Sequence, residues 1–158
     1  MIKIIGLLLL IVLMVLIVLI LFLHLRTQTD PRQKVFLAGQ VPTQLPDGFY
    51  QGQVNFQTTW QGKKFDRVTQ TGINIFRTGA GESQAFPFKT YAGKGAADGQ
   101  LTVLKIDYDI PQNPFWMKFV LDEVVETSPG TYLGKVEIRL GPNVAVALGY
   151  FQLKKTTP

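Results

Sequence analysis

From Ile4 to Leu23 the chain carries no charged, amide or hydroxyl side chain, and nearly every residue is Leu, Ile or Val. An α-helix rises about 1.5 Å per residue, so this run spans about 30 Å, the thickness of a bilayer's hydrocarbon core. A helix is the one single-segment structure that satisfies its own backbone hydrogen bonds there. A cleaved signal peptide has a shorter apolar region and a small-residue cleavage site, which Leu23-His24-Leu25-Arg26 does not supply. An amphipathic surface helix needs a polar face, and a buried core helix is shorter and polar on one side. Residues 1–25 are therefore expected to form a single-pass transmembrane anchor.

The charge distribution points the same way. Residues 1–34 hold Lys3, Arg26, Arg32 and Lys34 against Asp30, which is +3 of the chain's net +5. The remainder is close to neutral for its size, with no basic stripe, so a nucleic-acid partner is not expected. Basic groups beside the apolar run suit anionic headgroups. Arg26, Arg32 and Lys34 outnumber Lys3 and the α-amino group by one or two charges. That bias favours a cytoplasmic globular domain, with a periplasmic or extracellular one as the alternative. The chain has no cysteine, which excludes disulfides and thiolate chemistry but leaves the compartment open.

Residues 26–48, with Pro31, Pro42 and Leu45-Pro46-Asp47-Gly48, read as a juxtamembrane stalk. Within them Val35-Phe36-Leu37-Ala38 is a short apolar patch suited to packing on the domain or meeting the headgroups. From Phe49 the hydrophobic period becomes two. Tyr50, Gly52, Val54 and Phe56 alternate with glutamines and Asn55. Leu104, Ile106, Tyr108 and Ile110 alternate with Lys105, Asp107 and Asp109. Val136, Ile138 and Leu140 alternate with Lys135, Glu137 and Arg139. Such strands have one buried and one wet face. Val144–Leu153 is a further strand, with Ala145, Ala147 and Gly149 on one side and Val144, Val146, Leu148 and Tyr150 on the other. Turn signals, among them Thr78-Gly79-Ala80-Gly81, Ser128-Pro129-Gly130 and Gly141-Pro142-Asn143, separate about eight strands. Residues 49–158 are expected to be one mostly β domain, an antiparallel barrel or sandwich. Phe115–Val125 is apolar on both parities and fits either a helical turn or a buried strand.

Most catalytic chemistries lack their residues. His24 is the only histidine and sits at the boundary of the apolar run, so the domain holds no Ser-His-Asp or Cys-His arrangement and no zinc site. Asp107 and Asp109 read as solvated carboxylates beside Lys105, not as a metal site, and no two acids single themselves out for glycoside hydrolysis. The segment from Gly93 to Gly99 lacks the spacing of a phosphate loop and reads as a hairpin turn. No enzyme activity, cofactor or metal is expected.

Thr59-Trp60-Gln61-Gly62-Lys63-Lys64-Phe65-Asp66 resembles the W-x-G-K-x-F segment of small domains of the GXWXG/DUF4334 type. Tyr91-Ala92-Gly93, Ile106-Asp107-Tyr108-Asp109-Ile110-Pro111, Tyr132-Leu133-Gly134 and Gly149-Tyr150-Phe151-Gln152-Leu153 are similar to their later segments, over residues 50–155. More broadly, the order of features resembles the lipocalin-like (calycin) barrels. The resemblance implies an antiparallel lipocalin-like β-barrel and a hydrophobic or lipid-like ligand, and carries no catalytic residue with it. The expected cavity lining is Tyr50, Phe56, Trp60, Phe76, Tyr108, Trp116 and Tyr150, aromatic residues that mostly fall on strands. The function expected is a membrane-anchored binding module. The alternative is a structural or interaction protein with a solid-core β domain serving a membrane complex.

Overall fold

The apolar run folds as one helix, α1 (Ile2–Thr29), long and apolar enough to cross a membrane. A computed structural model describes residues 2–141 and 144–156 of the chain. A second helix, α2 (Pro31–Ala38), follows at once. Asp30 caps it by accepting the Arg32 N–H at 2.9 Å, and Pro31 takes the first helical position, where no N–H is needed. Gly39 ends it: a Cβ there would stand 2.4 Å from a Val125 methyl carbon.

Eight strands come next: β1 (Gly48–Gln53), β2 (Trp60–Asp66), β3 (Thr71–Thr78), β4 (Gly81–Lys94), β5 (Thr102–Asp107), β6 (Val120–Ser128), β7 (Thr131–Gly141) and β8 (Val144–Lys155). Each pairs antiparallel with its neighbour in sequence, and β1 closes the barrel on β8. The chain is thus mostly β, a closed antiparallel barrel behind a long apolar helix, as its alternating pattern predicts. The segment Phe115–Val125 divides: Phe115–Phe119 is a 3-10 turn, and Val120 begins β6. Of the turn expected at Gly141-Pro142-Asn143, the last two residues lie outside the described ones.

Up-and-down order gives the barrel two distinct ends. The β1–β2, β3–β4, β5–β6 and β7–β8 connections gather at one end, here called the mouth. The β2–β3, β4–β5 and β6–β7 connections lie at the far end, where the chain also arrives from α2. The far half of the interior is solid, filled by Tyr50, Phe65, Phe88, Leu104, Tyr132 and Leu153. Three inward glycines make room for rings. A Cβ on Gly52, Gly72 or Gly134 would fall within 2.4 Å of Trp60, Phe88 or Phe151 respectively.

The outer face of β5–β7 departs from the sequence reading. Lys105, Asp107, Lys135 and Glu137 alternate with apolar residues and are expected to be wet, yet all are buried, as is Glu123. Three elements cover that side of the barrel. One face of the end of α1, Ile20, Leu23, His24 and Thr27, packs on β8. From α2, Phe36 packs with Val103, Val125, Leu133 and Tyr150. The loop at residues 95–101 brings Ala96 to Leu121 and Ala145. Asp107 is not a solvated carboxylate: it pairs with Arg139 at 2.6 Å and Lys89 at 3.5 Å. Residues 26–48 hold the end of α1 and all of α2, so this segment clasps the barrel. Small Ala145 and Ala147 mark the place where α1 approaches β8.

Substituting Gly134→Ala forces the Phe151 ring out of its place. It is expected to destabilise the barrel by about 1–3 kcal/mol, the usual cost of overpacking. A thermal melt of the full chain in detergent, followed by near-ultraviolet circular dichroism, measures it.

Candidate functional site

The mouth half of the barrel is not filled. It holds a cup of about 280 Å³ walled by Val54, Phe56, Trp60, Phe76, Phe86, Met117, Val120, Val136 and Phe151. Edge-to-face pairs stiffen the wall: Trp60 against Phe151 at 5.6 Å, and Phe86 between Phe76 at 6.1 Å and Trp116 at 5.5 Å.

The floor is polar. Lys63 of β2, Asn74 of β3, Tyr108 at the end of β5 and Asp122 of β6 all point inward and are buried. The Lys63 ammonium donates to Asn74 Oδ1 at 2.8 Å and to the Tyr108 hydroxyl at 2.5 Å, and pairs with Asp122 Oδ2 at 2.9 Å. Tyr108 donates to Asp122 Oδ2 at 3.0 Å, and Trp60 Nε1 donates to Asn74 Oδ1 at 3.1 Å. The Lys63 ammonium also lies 5.2–5.4 Å from the ring centres of Trp60, Phe88, Tyr108 and Phe151. Burial pushes the Lys63 amine below its ordinary range, with Asp122 pulling the other way. Burial, then the Asp122 charge, pushes the Tyr108 hydroxyl well up. With Lys63 and Asp122 paired, the floor has no net charge. Asp122 Oδ1 makes no hydrogen bond among the described residues.

Of the seven residues expected to line a cavity, Phe56, Trp60, Phe76 and Tyr108 line this cup. Trp116 stacks on the outside of Phe86 and stands at the rim. Tyr50 is packed in the far half against Phe65 and Tyr132 and borders a second groove, at the far end of the barrel. Tyr150 is a correction: it faces outward, where it touches Phe36 and its hydroxyl donates to the Gln33 side-chain oxygen. Lys63, Asn74 and Asp122 were missed. Their signal was a polar residue at an apolar position of the alternation, as in Lys63 with Phe65 and Asp122 with Val120 and Val124.

A second buried polar cluster lies outside the barrel, beneath α2 and the loop at residues 95–101. Lys105 pairs with Glu123 at 3.0 Å, and Lys135 pairs with Asp98, which also accepts from Gln33 at 2.8 Å. Neither carboxylate oxygen of Glu137 has a partner among the described residues. Burial first, and then the neighbouring Glu123, push Glu137 up to about 8, against the pull of Lys135. A larger groove of about 930 Å³ lies at the far end, between the α2–β1 connection and the β6–β7 hairpin. It lacks the aromatic wall and the convergent buried polar groups of the cup.

No family model matches the chain, and no curated protein matches it. It is similar to a crystal structure of a protein from Thermomonospora curvata, at 16% identity and a TM-score of 0.47, over 75% of this chain and 80% of that one. The closed eight-stranded antiparallel barrel itself fits a lipocalin-like fold.

Two tests follow from the buried charges. Lys63→Met strands Asp122 without its partner and is expected to cost about 3–5 kcal/mol, whereas Lys63→Met with Asp122→Leu recovers most of it; denaturant titrations of the full chain in micelles measure both. For Glu137 the folded state holds a proton that the unfolded chain releases above 4.5. Its contribution to stability is full below that pH and is lost as pH rises through about 8. Melting temperature is therefore expected to fall across that window in the native chain and to fall less in Glu137→Gln. Equal slopes would refute the assignment.

Proposed function

We propose that the chain is a single-pass, membrane-anchored, lipocalin-like module that holds a neutral amphipathic or lipid-like small molecule in the cup. The observation that carries this reading is the cup itself: an aromatic wall open at one end over a buried, internally paired polar floor. An apolar body fits the wall. A single hydroxyl or similar donor fits Asp122 Oδ1. A charged headgroup does not fit, because the floor offers no uncompensated charge and a buried unpaired charge is costly. The helix α1 supports an anchor by its length and composition, and the charge bias beside it favours a cytoplasmic barrel.

The proposed role is binding and not catalysis. Lys63 and Asp122, the ionisable pair of the cup, are engaged with each other. His24 lies outside the barrel, where it accepts the Ala147 N–H. The resemblance to GXWXG/DUF4334-type domains carries no residue role into this reading. A solid-core interaction protein fits less well, since a packed interior would have no reason to leave the mouth half hollow over a polar floor.

Native mass spectrometry of the full chain released from nanodiscs, with solvent extraction of the same material, tests the proposal. The full chain is needed because Ile20, Leu23, His24, Thr27 and Gln33 all pack on the barrel. One small molecule per chain is expected, and its loss in Val136→Phe, which fills the cup from β7. A bare mass after exposure to mixed lipids, or retention unchanged by Val136→Phe, would count against a cup ligand.

A further inference from the structure

The apolar side chains left exposed on the barrel are concentrated at one end. Phe56, Phe115, Trp116, Leu140 and Val144 are 57–76% exposed, and Phe119 is also exposed. Phe56 is in the β1–β2 connection. Phe115, Trp116 and Phe119 form the 3-10 turn before β6. Leu140 lies at the end of β7 and Val144 at the start of β8. All six stand around the mouth, and several meet the cup: Phe56 is part of its wall, and Trp116 stacks on Phe86. A soluble protein seldom leaves such a ring uncovered without a use for it.

The seam with α1 says what covers it. His24 Nδ1 accepts the Ala147 N–H at 3.0 Å, which fixes one level of the helix against one level of β8. From Ala147 back to Val144 is about 10 Å along an extended strand, or nearer 8 Å once its inclination in a barrel is allowed for. On α1 the same 8–10 Å leads back from His24 by five to seven residues, to between Ile17 and Leu19. Those residues lie inside the apolar run, which extends to Leu23. The chain then continues away from that end: α2 bonds to the β4–β5 loop through Gln33 and Asp98, and Gln40 bridges Glu126 near the far end. The mouth, then, faces along α1 toward its apolar part.

We infer that the rim of the mouth is seated in the headgroup–acyl boundary of the same bilayer that α1 crosses, so that the cup opens into lipid and its guest enters without passing through water. This rests on the anchor reading of α1. A depth of about 5–10 Å is what apolar surface at a bilayer boundary typically reaches, and the overlap of the rim with the last turns of the apolar run has that size. Phe and Trp suit this layer, Trp with its N–H toward the headgroups.

The chain has no cysteine, so single labels are unambiguous. Full chains carrying Phe115→Cys, Leu140→Cys, Val68→Cys or Met14→Cys, each with a nitroxide, are reconstituted in nanodiscs of phosphatidylcholine with phosphatidylglycerol. Collisions with oxygen and with a water-soluble nickel chelate are then compared by paramagnetic resonance. All four positions are exposed, so folding is not at stake, and Val68, 90% exposed at the far end, marks water. Labels at Phe115 and Leu140 are expected to favour oxygen over nickel, at a depth between those of Val68 and Met14. A Met14 label deep in the bilayer with rim labels as nickel-accessible as Val68 would overturn the inference and leave the anchor standing. A nickel-accessible Met14 label would overturn both.

Discussion

The His24 imidazole meets the Ala147 N–H on a part of β8 that has no β1 partner. β1 pairs with β8 only through Tyr50–Gln53, against Gln152–Lys155, so Val144–Phe151 has β7 as its one strand neighbour among the described residues. An uncovered edge of this kind invites association. The end of α1 lies along β8 here, and its apolar residues cover the small Ala145 and Ala147. Much of the remaining architecture follows from that seam. It directs α2 down the outer face of the barrel, closes the polar cluster of β5–β7 beneath it, and sets the direction in which the mouth points.

Two buried polar systems serve different ends. Inside, Lys63, Asn74, Tyr108 and Asp122 bond to one another, with Asp122 Oδ1 left without a partner among the described residues; such mutual pairing is the condition under which burying an ion pair is tolerable. An apolar floor would give comparable stability. Retaining a satisfied pair at the base of an aromatic cup makes sense if a guest uses it for orientation. Outside, Glu137 is left without a partner, while Lys105–Glu123 and Lys135–Asp98 tie the barrel wall to its covering loop. Burial keeps Glu137 protonated there up to about pH 8, where the helices meet the barrel.

The sequence made the barrel legible because alternation is local. β5 and β7 could be read from Leu104-Lys105-Ile106-Asp107 and Val136-Glu137-Ile138-Arg139 without knowing their neighbours. The wetness of the polar face could not, since it depends on α2 and a loop that arrive from distant parts of the chain. Tyr150 shows a second limit. Pairing passes from Val136–Gly149 to Glu137–Ala147, so Leu148 is an extra residue that inverts the alternation. Val146 and Tyr150, which share a parity, end on opposite faces. Lys63 and Asp122 were legible in principle as charges on the apolar parity. What hid them is that aromatic residues draw attention as cavity lining, while the polar groups that make a cavity selective are few.

The central claim is that a neutral amphipathic molecule occupies the cup. Photolabelling examines it most directly. The full chain in bilayers is irradiated with a long-chain alcohol bearing a diazirine close to its hydroxyl, and the adducts are mapped by peptide sequencing in a mass spectrometer. Adducts on Phe76, Phe86, Met117 and Phe151, reduced by excess unlabelled alcohol, are the expected result. Adducts confined to α1, with none on the strands that wall the cup, would contradict it.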